Sequence, residues 1–149
     1  MNQPESLFPV FLKLTGRKVV LVGGGTVATS KLGALLDTGA AVTVVAPQIT
    51  RKIASSNVVI KRRGFKPADL NAAWLVVAAA PPSVNREVSR AAESRNLFVN
   101  AVDDPPNASV YLGGVVRRSG VTVAISTDGK APALAGLIRQ ALDTLLPEK

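Results

Sequence analysis

Three consecutive glycines, Gly23 to Gly25, separate an apolar run from a segment whose apolar residues have helical spacing. In the pattern G-x-G-x-x-A, Gly23 allows a tight turn out of the strand and Gly25 lets the backbone approach a pyrophosphate. Ala28 permits close packing of the helix on the sheet, and the helix N-terminus offers free N–H groups to the anion. The motif predicts a dinucleotide site. The alternative is a tight turn that binds no ligand.

In a parallel sheet, loops that follow neighbouring strands lie at the same edge and would share this ligand. The acidic residue expected about twenty positions after the glycines is missing, because Ala46, Pro47 and Gln48 stand there. Without that carboxylate a 2′-phosphate is less strongly excluded, and Arg51 or Lys52 could accept one. The residues alone therefore leave NAD and NADP open. The predicted cofactor contacts are Gly23, Gly25, Thr26, Val27, Ala46, Pro47, Gln48, Ala79 and Ala80.

Two successive acids, Asp103 and Asp104, follow the last of the predicted parallel strands. The chain has no histidine and no cysteine, which excludes disulfides, thiolate metal sites, the commonest general base and the commonest zinc ligand. Acid–base chemistry must fall to carboxylates, lysines or Tyr111. A carboxylate at the end of a strand suits that role, although both acids could also cap the turn through backbone N–H groups. No metal site is expected.

The composition indicates a protein with an anionic partner. Eighteen Lys and Arg against ten Asp and Glu give a formal net charge of +8 over 149 residues. The basic residues are scattered and aromatic residues make up only 4%, so we expect no nucleic-acid partner and favour a small molecule rich in carboxylates or phosphates. A merely solubilising surface is the alternative. Neither a signal peptide nor an apolar stretch of membrane-spanning length is recognisable, which predicts a cytoplasmic protein without membrane contact.

Short β-branched runs alternate with helical segments over the first part of the chain. This alternation predicts an α/β fold, a Rossmann-like doubly wound parallel sheet. The predicted strands are Val19–Val22, Val42–Ala46, Val58–Ile60, Trp74–Ala78 and Leu97–Val102, and the predicted helices are Val27–Leu36, Gln48–Ala54, Pro67–Leu70 and Val84–Arg95.

A turn-rich break, "DDPPNAS", ends this pattern. Beyond it we predict a β-hairpin of Val110–Arg117 and Val121–Ser126, then a helix over Ala131–Leu145 with Pro132 in its first turn. The predicted domains are residues 1–106, which would bind NAD, and residues 107–149. The second is too small to hold a core alone, so we expect it to pack on a second copy in a homodimer.

Three stretches resemble the precorrin-2 dehydrogenase / sirohydrochlorin ferrochelatase module of siroheme synthases, and together they cover nearly the whole chain. The first is the glycine turn with its flanks, "LFPVFLKLTGRKVVLVGGGTVATSK". The second and third, which are more specific, are "WLVVAAAPPSVNREVSRAAESRNLFVNAVDDPPNAS" and "VTVAISTDGKAPALAGLIRQAL".

The resemblance implies an NAD-dependent enzyme that oxidises precorrin-2 to sirohydrochlorin, on the way to siroheme or cobalamin, and a homodimer formed by the hairpin and helix. The family's Val-Asp-x-Pro turn matches Asp103 as the catalytic residue and leaves Asp104 at a variable position. Ser109, Arg117 and Lys130 are the predicted contacts to the substrate. Bifunctional members continue past "LLPEK" into a helical segment, so we expect dehydrogenase activity without chelatase activity, with another chain completing the tetrapyrrole pocket.

Three other functions are compatible with the residues. A different NAD(P)-linked oxidoreductase could share the fold, and a module that senses NAD(H) without catalysis could share the cofactor site. A basic domain that binds nucleic acid would show steeply salt-dependent binding to unrelated duplexes.

Overall fold

Five parallel strands build the central sheet in a computed structural model that describes residues 6–146. The strand order is β3-β2-β1-β4-β5, and the strands are short runs in which β-branched residues predominate in β1, β2 and β3. Because such runs are buried on both faces, three residues of β1 have no exposed surface. The strands are β1 (Lys18–Val22), β2 (Ala41–Val45), β3 (Val59–Lys61), β4 (Leu75–Ala78) and β5 (Phe98–Ala101).

Helices cover both faces of this sheet. Helix α1 (Thr26–Leu36) buries Ala28, Leu32 and Leu35 in one apolar cluster, and α3 (Pro82–Glu93) buries Val88, Ala91 and Ala92 in the other. A short α2 (Arg51–Ala54) follows β2, and two 3₁₀ turns span Pro67–Leu70 and Pro105–Asn107. The predicted doubly wound Rossmann-like sheet is confirmed.

Two elements begin three or more residues later than predicted, for local reasons, and the other boundaries differ by at most two residues. Helix α2 begins at Arg51 instead of Gln48, because the Thr50 side chain caps it by accepting a hydrogen bond from the Ile53 N–H at 3.3 Å. The first hairpin strand begins at Gly114 instead of Val110. Val110 instead donates its N–H to the Val99 carbonyl at 3.1 Å, next to a bond from the Ser109 N–H at 2.8 Å, and so protects the outer edge of β5.

The chain divides into two compact units, residues 11–110 and residues 6–10 with 111–146. The break lies after Val110, since Ser109 and Val110 are bonded to β5. The predicted boundary at 106/107, with its assignment of roles to the two parts, stays a prediction.

In the second unit, antiparallel strands β6 (Gly114–Arg118) and β7 (Val121–Ile125) are followed by α4 (Pro132–Leu145). Arg118 pairs with Asp143 of α4 at 3.0 Å. Within the described part of this unit, Val116 and Ala135 are the buried hydrophobic residues. The unit therefore has little apolar core of its own.

Within residues 6–146, no helix combines the length and apolar character that a membrane crossing requires.

Candidate cofactor site

From β1 the chain continues to β2 and β3 on one side of β1, and then to β4 and β5 on the other side. The carboxyl end of β1 is therefore the point at which the strand order reverses. Open α/β sheets bind ligands in the crevice at this point. The glycine turn follows β1, residues 46–48 follow β2, and Ala79 and Ala80 follow β4. The structure thus brings together the three segments in which the cofactor contacts were predicted.

Gly23 joins the glycine turn to the strands on both sides. Its φ of +128° is a conformation that side chains rarely adopt, and a Cβ there would lie 2.1 Å from the Ala79 carbonyl oxygen. The Gly23 N–H donates to the Val45 carbonyl at 3.0 Å, and the Ala79 N–H donates to the Val22 carbonyl at 2.8 Å. Only glycine fits at this position.

Gly24 is required by a close contact on the β2 side. A Cβ there would lie 1.9 Å from the Gln48 carbonyl oxygen, and the Gly24 carbonyl accepts a hydrogen bond from the Thr50 N–H at 2.9 Å. The hydroxyls of Thr50 and Thr29 lie 2.8 Å apart and link α1 to the same loop. Sequence reasoning assigned no role to Gly24, although a glycine at the variable position of the motif was a visible signal.

Gly25 has no such constraint from the protein. It is exposed, it has an extended backbone that any residue can adopt, and no atom lies within 4 Å of a Cβ built there. It is the N-cap residue of α1, whose first N–H groups lack helical partners, and Thr26 and Val27 beside it are exposed. Glycine at this position leaves room for a ligand against the helix N-terminus, so a dinucleotide pyrophosphate fits the residues present.

The segment after β2 presents both buried and exposed residues. Ala46 is buried and donates its N–H to the Lys61 carbonyl at 3.1 Å, whereas Pro47 and Gln48 are exposed. Arg51 and Lys52 are exposed at the start of α2. The loop thus offers backbone groups, one amide side chain and two cations on the side predicted for the adenosine ribose.

Asp103 and Asp104 have different surroundings. The Asp104 carboxylate accepts a hydrogen bond from the Asn107 side-chain amide at 2.9 Å and so stabilises the following 3₁₀ turn. Asp103 is exposed and has a φ of +57°, a left-handed conformation that aspartate and asparagine adopt more readily than other non-glycine residues. The Val102 N–H donates to the Ala78 carbonyl at 2.9 Å, which places this turn beside the end of β4. Asp103 therefore lies at the edge of the sheet that holds the crevice.

The three residues predicted to bind substrate lie in two different units. The Ser109 hydroxyl accepts a hydrogen bond from the Val99 N–H at 2.9 Å, so part of its hydrogen-bonding capacity stabilises the edge of β5. Arg117 of β6 and Lys130, just before α4, are exposed in the second unit. Their contact with a substrate stays a prediction.

Asp69 is the centre of a buried polar cluster that contains none of the predicted site residues. Its side chain is 1% exposed, lies 2.6 Å from Arg63 Nη2 and 2.9 Å from Lys61 Nζ, and accepts the Lys66 N–H at 2.9 Å. The Arg63 hydrogen bonds, aided by Lys61, hold the pKa of this carboxyl well below its usual range. The cluster connects the end of β3 to the 3₁₀ turn that follows it.

The glycine turn at the strand-order reversal and the parallel sheet define a Rossmann-type dinucleotide-binding protein. Residues 10–114 match a family described as putative NAD(P)-binding, and residues 118–144 match one described as the central region of sirohaem biosynthesis proteins. The structure also superimposes on SirC, a precorrin-2 dehydrogenase, with a TM-score of 0.81 and 31% identity, covering 95% of this chain and 72% of that one.

Similarity to siroheme synthases extends over nearly the whole chain. Siroheme synthase 1 of Aeromonas salmonicida is 43% identical over 145 residues, and siroheme synthase of Tolumonas auensis is 42% identical over 144 residues. In both cases 94% of this chain and 31% of the relative are covered, so the chain spans about a third of the length of these relatives. The chain belongs to the family described as putative NAD(P)-binding, and its similarity to a precorrin-2 dehydrogenase and to siroheme synthases confirms the resemblance inferred from the sequence.

Proposed function

We propose that the chain is an NAD-dependent dehydrogenase that oxidises precorrin-2 to sirohydrochlorin. The observation that carries this proposal is Gly25, where the protein leaves open space at the N-terminus of α1 and at the strand-order reversal. A Rossmann-type site of this kind supports a nicotinamide cofactor, and the family comparison supports the tetrapyrrole substrate.

Conversion of precorrin-2 to sirohydrochlorin removes one hydride and one proton. NAD supplies the hydride acceptor when it is bound. In the proposed reaction the N–H groups at the start of α1 hold the pyrophosphate, and Ala79 and Ala80 form the wall of the crevice nearest to Asp103. The Asp103 carboxylate accepts the proton, because the chain offers no histidine for that task. Ser109, Arg117 and Lys130 are the proposed contacts to the substrate carboxylates.

The test is an anaerobic incubation of the purified chain with precorrin-2 and NAD, in which sirohydrochlorin and NADH are followed together. We expect equal amounts of the two products, and a parallel reaction with NADP compares the cofactors. If no NADH forms and precorrin-2 is not consumed, the proposed dehydrogenase activity is wrong. Binding of NAD without turnover would instead indicate a sensing module.

We also propose that the chain lacks chelatase activity. It contains neither histidine nor cysteine, so metal insertion would proceed without imidazole or thiolate ligands. Incubation of sirohydrochlorin with ferrous iron and the chain should form siroheme no faster than the protein-free control. A protein-dependent increase in that rate would contradict this part of the proposal.

The assembly we propose is a homodimer formed through the hairpin and α4. Four apolar side chains of α4 remain at least 37% exposed in the single chain, namely Leu134, Leu137, Ile138 and Leu145. A second copy would cover such an amphipathic helix. Light scattering at micromolar concentration should give twice the monomer mass, and a monomer at that concentration would contradict the proposal.

A further inference from the structure

Asn85 is a buried polar residue near the start of α3, with 4% of its surface exposed. Its Oδ1 accepts a hydrogen bond from the Ala80 N–H at 3.0 Å. Its own N–H donates to the Pro81 carbonyl at 3.0 Å. Asn85 therefore holds the turn between β4 and α3 through both its side chain and its main chain.

Two prolines explain why this turn needs an acceptor from further along the helix. Pro81 and Pro82 begin α3, and neither has an N–H or a side-chain oxygen that could cap the helix. The nearest backbone N–H before the two prolines is that of Ala80. The Asn85 carboxamide satisfies it in the manner of a capping box, in which a side chain within the first turns reaches back to a backbone N–H before the helix.

The turn that Asn85 holds is in close contact with the glycine turn. A Cβ on Gly23 would lie 2.1 Å from the Ala79 carbonyl oxygen, and the Ala79 N–H is bonded to Val22 at 2.8 Å. The Ala79–Ala80 peptide lies between this contact and the Asn85 bond. A rotation of this peptide would displace the carbonyl that packs against Gly23 in the glycine turn.

We propose that Asn85 is a positioning residue for the cofactor: its carboxamide oxygen holds the Ala80 N–H so that the wall of the crevice is formed before NAD binds. A preformed wall reduces the conformational entropy that the loop loses when the cofactor binds. The inference rests on the proposed function, namely that NAD binds between the glycine turn and Ala79–Ala80. The acceptor oxygen is the essential atom, because its partner is an N–H donor.

The experiment measures the Kd for NAD by calorimetry on three variants, at a temperature where circular dichroism shows each to be folded. Asn85→Leu keeps a buried side chain of similar size but removes the acceptor, and it should weaken NAD binding about five- to tenfold. Asn85→Asp keeps an acceptor oxygen toward the Ala80 N–H, so it should weaken NAD binding less than Asn85→Leu does, even though salt screens its buried charge only weakly. Val88→Ala lowers stability from the same helix without touching the turn, and its Kd should be unchanged.

A Kd for Asn85→Leu equal to that of wild type would overturn the inference while leaving the proposed function intact. Equal weakening in Asn85→Leu and Val88→Ala would also overturn it, because general destabilisation would then explain the loss. So would weakening in Asn85→Asp as large as that in Asn85→Leu. Absence of NAD binding by the wild-type chain would overturn the proposed function itself, and the inference with it.

Discussion

At the scale of single residues, the three glycines are not equivalent. Gly23 and Gly24 are required by the protein, since a side chain at either would collide with a neighbouring carbonyl. Gly25 meets no protein atom and has an ordinary extended backbone. A glycine that the fold does not need is the best candidate for one that the ligand needs.

Replacement of Gly25 by leucine should abolish NAD binding while the chain stays folded. The new side chain would occupy open space and would clash with the pyrophosphate, not with the core. Calorimetry measures the loss of NAD binding, and a thermal melt shows that the variant is folded.

Gly33→Ala is the matched control for Gly25→Leu. Gly33 also has open space at its Cβ position, but it lies within α1, so alanine there should raise stability by about 0.5–1 kcal/mol through helix propensity. It should leave NAD binding unchanged. Normal NAD binding by Gly25→Leu would show that the pyrophosphate lies elsewhere.

Asp103→Asn should keep NAD binding and assembly but lose most dehydrogenase activity, by about 10²–10⁴-fold if the carboxylate is the proton acceptor. Asparagine tolerates the left-handed conformation found at this position, so the turn should persist. The coupled assay of sirohydrochlorin and NADH measures the effect.

Asp104→Asn is the control for Asp103→Asn and should be nearly silent, because an amide oxygen can still accept the hydrogen bond from Asn107. Equal activity of the two variants would mean that another group is the base, or that the enzyme accelerates the reaction only by orienting the substrate and the cofactor.

At the scale of elements, the Asp69 cluster attaches β3 to the segment that leads into β4. One carboxylate accepts hydrogen bonds from Lys61, Arg63 and the Lys66 N–H, while the Lys18 ammonium binds the Asp69 carbonyl at 3.0 Å. The bonds from Lys18, Lys61 and Arg63 span more of the chain than a helix cap does, whereas the Lys66 bond caps the 3₁₀ turn. The cluster should contribute to stability and not to catalysis.

Asp69→Ala should lower the free energy of unfolding by about 2–3 kcal/mol, because it removes several hydrogen bonds from charged groups but leaves Lys61 and Arg63 partly in contact with water. Urea denaturation at neutral pH measures the loss. NAD binding by the folded variant should be unchanged.

The same carboxylate makes stability dependent on pH. Its folded-state pKa lies below the unfolded one, so the unfolded chain binds more protons in acid. The stabilisation is complete above the unfolded pKa of about 4 and is lost as the pH falls toward the folded pKa. Urea titrations at pH 7 and pH 3 should show this loss in wild type and a smaller one in Asp69→Ala. Equal losses in both would assign the acid sensitivity to other carboxylates.

At the scale of the whole molecule, the second unit has exposed apolar residues and few buried ones. Leu137 of α4 is 63% exposed and Leu145 is 78% exposed. Arg118 and Asp143 connect α4 to β6, so the helix is held on its hairpin while much of its apolar surface remains uncovered. This surface is the basis of the proposed dimer.

Leu137→Glu should convert the proposed dimer to monomer, since a charge would be buried without a partner on association. Because Leu137 is exposed in the single chain, the monomer should remain folded. Light scattering gives the mass and circular dichroism the fold. Gln140→Glu adds the same charge at an exposed polar position of α4 and should stay dimeric; a dimeric Leu137→Glu would exclude this face as the interface.

The sequence by itself determined the order of elements, the fold class and the family. Periodicity and glycine motifs are local signals: they report which residues face a core and where a turn must be tight, so β1, the glycine turn and α1 could be predicted within a residue or two. Only the tertiary structure decided why Gly24 is glycine, that Asn85 holds Ala80, and that Asp104 but not Asp103 bonds to Asn107. The role of Gly24 depends on how loops from separate strands meet at one edge of the sheet, and strand order and register, which no local pattern contains, determine that meeting. The two side-chain bonds lie within single turns and depend on the conformation that each turn adopts in the folded chain.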